Sequence, residues 1–419
     1  MADARKVAIK ALSAVVTDNG FSNLVIDKYI NEAELSPLDA SFASALFYGT
    51  LERLKTVDYI IEQASGRNIQ KIDKECINIL RTAVYSMYYM DKVHDGAAVN
   101  EAVKLVKKTK KSFLSGFVNA VLRKISRDRE SFLPKQDDLE NFYSCDKSIV
   151  DSFVKDYGFD IAKEILENSL KNSETTLRIN SLKITDDEFL SKLDNQEIAY
   201  EYLGDGKVKI RKSGDIENNP LYKEGLFHVQ SVVSGISAEA VGVKSGDTVL
   251  DACAAPGGKS FTMAEIMQNK GTLISCDIHP HRVELIRKGA ERLGVTNIRP
   301  TLSDATNPTL PITEFDKILC DVPCSGLGML CEKPDIKYKK IKNFEELPQL
   351  QYKILETSAK MLKQGGRLVY STCTLRKAEN ECVTEKFISN NQDFEIVSQK
   401  TYFPNEYGSG FFVSVIERR

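Results

Sequence analysis

The chain has 419 residues, of which 42% are hydrophobic and 28% charged, and its formal net charge is −2. That length is too great for one ordinary domain and fits two or three, each able to bury a sizeable core. The near-balanced charge excludes a globally basic nucleic-acid binder, so any contact with RNA or DNA must come from local patches.

The first ten residues, M-A-D-A-R-K-V-A-I-K, carry charge through what would be the apolar core of a signal segment. No stretch approaches the run of about 20 apolar residues needed to span a bilayer. The chain therefore reads as cytoplasmic, with no membrane partner. Residues 1–135 read as all-helical. Ser36-Pro37 is an N-cap followed by proline at the first helical position. After it, Leu38, Phe42, Ala45, Leu46 and Leu51 lie on one helical stripe. Further helices are expected over 74–90, 97–110 and 113–127. The last two carry Lys104, Lys107, Lys108, Lys110, Lys111, Arg123, Lys124, Arg127 and Arg129 beside their apolar faces. These charges read either as a solvated helix surface or as a phosphate-gripping patch. No aromatic residues alternate with them as stacking platforms, so a patch would grip and orient RNA without reading bases.

Residues 141–225 read as a small α/β connector. It has strands at 175–182, 200–203 and 207–210 and a short helix at 186–193. From 226 to 419, strands at 247–251, 272–277, 297–303, 315–321 and 367–372 alternate with helical stretches. That is the signature of a parallel, doubly wound, Rossmann-like sheet.

D-T-V-L-D-A-C-A-A-P-G-G-K-S (247–260) is a strand, a Gly-rich turn and a helix start. Pro256-Gly257-Gly258 lets backbone pass close to a ligand where a Cβ would clash. Asp277 ends the next strand, where a carboxylate accepts hydrogen bonds from ribose hydroxyls. Asp304 follows the third strand, placed for an adenine amino group. The loop is not G-x-G-x-x-G. A phosphate-binding P-loop would need glycine where Ala254 stands. An adenosyl group without phosphates fits better, and that is S-adenosylmethionine.

Nine cysteines, an odd number, are spread along the chain without a C-x-x-C pair, and the four histidines are dispersed. No metal site is expected, and free thiols in this number fit a reducing compartment. Cys253, Cys276 and Cys320 read as packing, and Cys331 has no evident role. Cys324, in D-V-P-C-S, and Cys373, in Y-S-T-C-T, follow two strands that are neighbours in the order 3-2-1-4-5. Strand ends of such a sheet face one crevice. Two thiols there suit C5 methylation of a pyrimidine: a thiolate adds to C6, C5 becomes able to take a methyl group, and a base then removes the C5 proton. Asp321 would hydrogen-bond N3 and N4 of a cytosine. Lys259 would lower a thiol pKa by its charge. Which thiol attacks is open on strand order alone.

D-A-C-A-A-P-G-G-K-S, D-V-P-C-S-G-L-G-M-L, K-P-D-I-K-Y (333–338) and Y-S-T-C-T-L-R-K-A-E-N-E (370–381) resemble the RNA cytosine-5 methyltransferases. A-L-F-Y-G-T-L (45–51), A-A-V-N-E-A-V (97–103) and G-F-V-N-A-V-L-R (116–123) resemble the helical NusB-like RNA-binding domain of the ribosomal members. The resemblance covers nearly the whole chain. It implies a class I enzyme that methylates one cytosine of 16S rRNA, free or in a partly assembled small subunit; a monomer is expected, though the sequence does not fix the oligomeric state. It implies Cys373 as nucleophile and Cys324 as the thiol needed for product release. Cys253, Ala254, Ala255, Pro256, Gly257, Gly258, Lys259, Asp277, Asp304 and Asp321 would bind cofactor or base. Relatives often carry Gln-Asp where this chain has Gln230-Ser231. An inactive RNA-binding assembly or antitermination factor, and a methyltransferase acting on transfer RNA, are the rival readings.

Overall fold

The computed structural model describes residues 3–18, 22–171, 174–210 and 216–419. The chain forms two compact units. One comprises residues 1–170 with 333–340, the other 171–332 with 341–419.

The first unit is helical. Its helices span Ala4–Asp18, Ser22–Glu32, Pro37–Glu52, Leu54–Ser65, Lys74–Tyr89, Asp95–Lys107 and Ser115–Arg127, followed by Lys147–Tyr157 and Phe159–Asn168. Ser36 caps the third as its sequence implies, with Oγ accepting the Asp39 N–H at 3.2 Å and Pro37 opening the first turn. The buried stripe of that helix differs from the one expected. Ala43, Leu46, Phe47, Thr50 and Leu51 are inside, whereas Leu38 is 81% exposed and Ala45 is exposed as well. The helix is apolar nearly all round, so periodicity alone does not select its face.

Between Leu54–Ser65 and Lys74–Tyr89 lies a shielded ion pair. Arg81 Nε and Nη2 each donate to Asp58 at 2.7 Å, and Nη1 donates to Asn78 Oδ1 at 2.9 Å. The Arg81 side chain is only 10% exposed. Asp58→Ala would strand a shielded guanidinium and should cost about 3 kcal/mol. Urea unfolding followed by circular dichroism reads this, and an unchanged midpoint would show the pair to be energetically neutral.

The motif K-P-D-I-K-Y folds with this helical unit. Tyr338 Oη accepts the Leu54 N–H at 3.1 Å, lies 3.0 Å from Glu52 O as donor, and is 3.1 Å from Ser144 Oγ. Asp146 N donates to Lys337 O at 2.7 Å. An eight-residue stretch of the sheet-bearing chain is thus core material of the helical unit.

The second unit holds two sheets. Strands β1 (Thr175–Ile179), β2 (Tyr200–Gly204), β3 (Lys207–Ile210) and β4 (Phe227–Val229) form an antiparallel sheet of order β2-β3-β1-β4. A helix, Asp186–Asn195, joins β1 to β2 and starts with a capping box between Thr185 and Glu188. The larger sheet contains β5 (Thr248–Asp251), β6 (Thr272–Asp277), β7 (Ile298–Leu302), β8 (Phe315–Asp321), β9 (Leu362–Thr372), β10 (Phe394–Tyr402) and β11 (Phe411–Arg418). Its order is β10-β11-β9-β8-β5-β6-β7. The parallel core β7-β6-β5-β8-β9 is the expected 3-2-1-4-5 order. Strands β10 and β11 extend it antiparallel beyond β9, an addition that the sequence reading does not contain.

Successive residues alternate between two cores, as a sheet covered on both faces requires. Val249, Leu273, Leu319 and Val369 face helices Val232–Ala240, Gly258–Ile266 and Pro280–Leu293. Leu250, Ile274, Ile318, Leu368 and Tyr370 face helices Leu347–Ala359 and Glu381–Asn390. Because β8 and β9 pair with Asp321 opposite Ser371, whatever follows both strands emerges side by side.

Candidate active site

The turn after β5 is built on backbone. Ala254 N donates to Cys276 O at 2.7 Å and Gly257 N to Ala254 O at 2.8 Å. Gly257 has φ +115°, and a Cβ there would come within 2.4 Å of the Phe261 ring, so only glycine fits. Asp251, at the end of β5, is buried. It accepts the Ser260 hydroxyl at 2.6 Å, and burial pushes its pKa up to about 7.

A cavity of about 280 Å³ opens beside this turn. Cys253, Ala255, Asp277, Asp304 and Asp321 line it together, with Arg282 and Pro323. Asp277 is buried at the end of β6, and its Oδ1 accepts the His279 N–H at 2.9 Å. Asp304 is exposed and accepts both the N–H and the hydroxyl of Thr306 at 2.8 Å. Pro256 and Gly258 line a different cavity, of about 590 Å³, shared with His228 and Arg292. Ala254, Gly257 and Lys259 line neither of these two cavities.

The two cysteines meet. Cys324 Sγ and Cys373 Sγ are 3.2 Å apart and both half-buried. The hydrogen bond to Cys373, together with burial, holds the Cys324 thiol well above its ordinary pKa. Beside them, Lys259 Nζ donates to Asp321 Oδ2 at 2.6 Å, and the Ser371 hydroxyl donates to Asp321 Oδ1 at 2.8 Å. Burial pulls the Lys259 pKa down, but the charge and hydrogen bond of Asp321, aided by Cys373, outweigh it, so the net shift is upward. Lys259 is therefore a committed cation. Cys276 and Cys320 are buried, and burial lifts each thiol to about 12, as packing cysteines should behave. Cys331 is half-buried, with Sγ 3.7 Å from Gly408 O.

The profile of the family described as "16S rRNA methyltransferase RsmB/F" matches residues 238–415. The NusB family matches 2–127, and the ferredoxin-like domain of RsmF/B-like methyltransferases matches 147–216. A Bacillus subtilis protein named "Probable ribosomal RNA small subunit methyltransferase B" is 37% identical over 93% of this chain and 89% of its own length. A Synechocystis protein of the same name is 33% identical over 94% and 91%. The chain belongs to this family of 16S rRNA methyltransferases. A solved structure named PH0851 overlays with a TM-score of 0.81 at 22% identity, covering 100% of this chain and 99% of its own, a likeness of fold.

Within the family frame, the Gln230-Ser231 pair acquires a physical account. Ser231 caps helix Val232–Ala240, its Oγ accepting the Ser234 N–H at 3.3 Å, which an aspartate would do equally well. Gln230 braces the glycine turn after β5. Its Nε2 donates to Gly258 O at 3.1 Å and its Oε1 accepts the Thr262 hydroxyl at 2.9 Å. The basic helices are more compensated than their sequence suggests. Lys104 pairs with Glu101, Lys111 with Asp73 and Arg129 with Asp95. Lys107, Lys108 and Lys110 make no ion pair among the described residues. In the same loop Phe113 is 74% exposed, with Lys111 Nζ 6.0 Å from its ring centre, so an aromatic does accompany the charges. Sequence reasoning also missed Glu379 and Gln351, both fully buried beside the two cysteine loops. The E-N-E of the second cysteine motif was the available signal for Glu379.

No helix among the described residues is long and apolar enough to cross a membrane.

Proposed function

We propose that this family member transfers a methyl group from S-adenosylmethionine to C5 of one cytosine in 16S rRNA, position 967, through a covalent adduct between Cys373 and C6. The observation that carries the reading is the 3.2 Å approach of the Cys324 and Cys373 sulfurs beside Asp321. A lone structural cysteine needs no such partner. One cysteine suffices as nucleophile, and a second in the same crevice suits separate attack and release.

The residues fit the cofactor. Asp277 and Asp304 offer acceptors on the 280 Å³ cavity for ribose hydroxyls and an adenine amino group, and Cys253 to Lys259 form the turn against which it would lie. When bound, it supplies an electrophilic methyl group on a sulfonium. The remaining chemistry belongs to the chain. Asp321 accepts from the N4 amino group and from N3 once N3 has taken up a proton from solvent, and that N3 proton draws electrons from C6. Cys373 thiolate adds to C6, and C5 gains nucleophilic character. Cys324, having given its own proton to solvent, then takes the C5 proton, the C6–Sγ bond breaks, and Cys373 leaves as thiolate. The target base has to be unstacked to reach the thiols. In this reading residues 1–135 bind RNA, 141–225 connect, and 226–419 catalyse, in a cytoplasmic monomer without metal.

The test is tritium transfer from labelled cofactor to 16S rRNA, with transfer RNA as competitor. Label should enter the 16S fragment at C5 of a single cytosine. Labelling of transfer RNA in preference, or no cofactor binding by calorimetry, would overturn the assignment.

A further inference from the structure

The Cys324 loop is gripped on both flanks by one buried carboxylate and one buried amide. Glu379 Oε2 accepts the N–H of Ser325 at 2.9 Å and the Nε2 of Gln351 at 3.0 Å. The same Gln351 nitrogen donates to Pro323 O at 3.0 Å. The residue before Cys324 and the residue after it are thus tied to one two-residue clamp. A further bond joins the loops: Ser325 Oγ and Thr374 Oγ1, each next to a cysteine, are 2.8 Å apart.

The clamp is itself fixed. Tyr370 Oη donates to Glu379 O at 2.5 Å. The neighbouring Asn380 accepts the Thr372 hydroxyl at 2.6 Å and donates to Thr374 O at 3.0 Å. These tie residues 379–380 to the end of β9, the strand that delivers Cys373. Glu379 is 0% exposed, and its nearest cation, Arg376 Nη1, stands 3.8 Å from Oε1. A buried carboxylate is costly unless its hydrogen bonds repay it, and here one comes from the backbone after Cys324 and the other from the amide that holds the backbone before it.

We propose that Glu379 and Gln351 are positioning residues that hold the Cys324 thiol over the Cys373–cytosine adduct for the release step. The proposal rests on the two-cysteine reading above. Before that step the Cys324 thiol gives up its own proton to solvent; the C5–H bond then breaks and its proton passes to the Cys324 thiolate. The C5–C6 double bond re-forms as the C6–Sγ bond breaks, and Cys373 departs as thiolate. Addition of Cys373 needs only its own loop, so loosening the clamp should spare adduct formation and slow release. Glu379 also adds to the upward push on the Cys324 thiol, which makes its thiolate a stronger base.

The experiment compares Glu379→Ala, Glu379→Gln, Gln351→Met and Cys324→Ala for methyl transfer and for a covalent protein–RNA band on denaturing gels, with cofactor binding and thermal unfolding measured alongside. A misplacement near 1 Å costs about 10²-fold in rate, so Glu379→Ala and Gln351→Met should lose turnover by about that factor. Both should accumulate the same band as Cys324→Ala. Glu379→Gln keeps an oxygen that can accept from both Ser325 and Gln351, and it should restore most of the turnover and clear the band. A merely structural glutamate would not partition the reaction in this way. Should Glu379→Ala fail to fold, Gln351→Met carries the test. A band in Cys324→Ala with none in Glu379→Ala and Gln351→Met overturns the clamp alone. No band in Cys324→Ala overturns the two-cysteine reading and the clamp with it.

Discussion

Cys373→Ala is expected to abolish methyl transfer, by on the order of 10⁴-fold or more, with cofactor binding unchanged. The size follows from chemistry. A cytosine C5 takes no methyl group until C6 carries a nucleophile, and no other sulfur stands at that position. Cys324 is 3.2 Å away, but its backbone is clamped on both sides, and burial still opposes ionisation of its thiol once Cys373 is gone. It should therefore not substitute. Cofactor binding should survive because Asp277 and Asp304 lie on a cavity that Cys373 does not line. Tritium transfer and calorimetry on the same preparation separate the two effects. Full activity in Cys373→Ala would sink the nucleophile assignment. The paired signature is qualitative: Cys373→Ala should give no covalent band at all, whereas Cys324→Ala should give a strong one.

The parts of the molecule that were legible in sequence are those with a local physical cause. Strands β6 and β8 were bounded correctly because both faces are buried and their apolar runs end in acids, Asp277 and Asp321. The Ser36 cap was legible because its oxygen needs only the next turn. Strands β10 and β11 were not. F-E-I-V-S-Q-K-T-Y interleaves polar and apolar residues at a sheet edge, and its pairing to β11 contains a register shift between Ile396 and Ser398. K-P-D-I-K-Y was legible as a motif but not as part of the helical unit. The Tyr338 hydroxyl reaches backbone 284 to 287 positions away, and nothing local signals that. The site divides the same way. Strand order alone brought Cys324 and Cys373 together. The Glu379 and Gln351 clamp depends on residues 28 positions apart, Gln351 on an α-helix and Glu379 at the end of a separate short 3₁₀ turn.

Asp321→Asn should lower methyl transfer by on the order of 10³-fold and change how stability depends on pH. Besides its proposed hold on the cytosine, Asp321 serves two partners, Lys259 at 2.6 Å and Ser371 at 2.8 Å. Asparagine can keep the serine bond but turns a neutral amide toward a shielded ammonium. Removing a buried cation's partner costs about 3 kcal/mol at neutral pH. In the native protein the net shift of Lys259 is upward, so this group gives stability that is constant below its unfolded pKa and is lost only as pH rises through the higher folded value. In Asp321→Asn burial is opposed only by Cys373 and Asp251, and the folded pKa falls below the unfolded one. The unfolded state then binds more protons in that window, so stability should rise with pH. Thermal unfolding between pH 7 and about 9.5 should therefore show the variant gaining on the native protein. Lys259→Met combined with Asp321→Asn should erase that slope. A variant that stays parallel to the native protein across the range would mean that Lys259 is solvated by other groups. Its activity loss would then belong to cytosine recognition alone, which separates the two tasks proposed for one carboxylate at the end of β8.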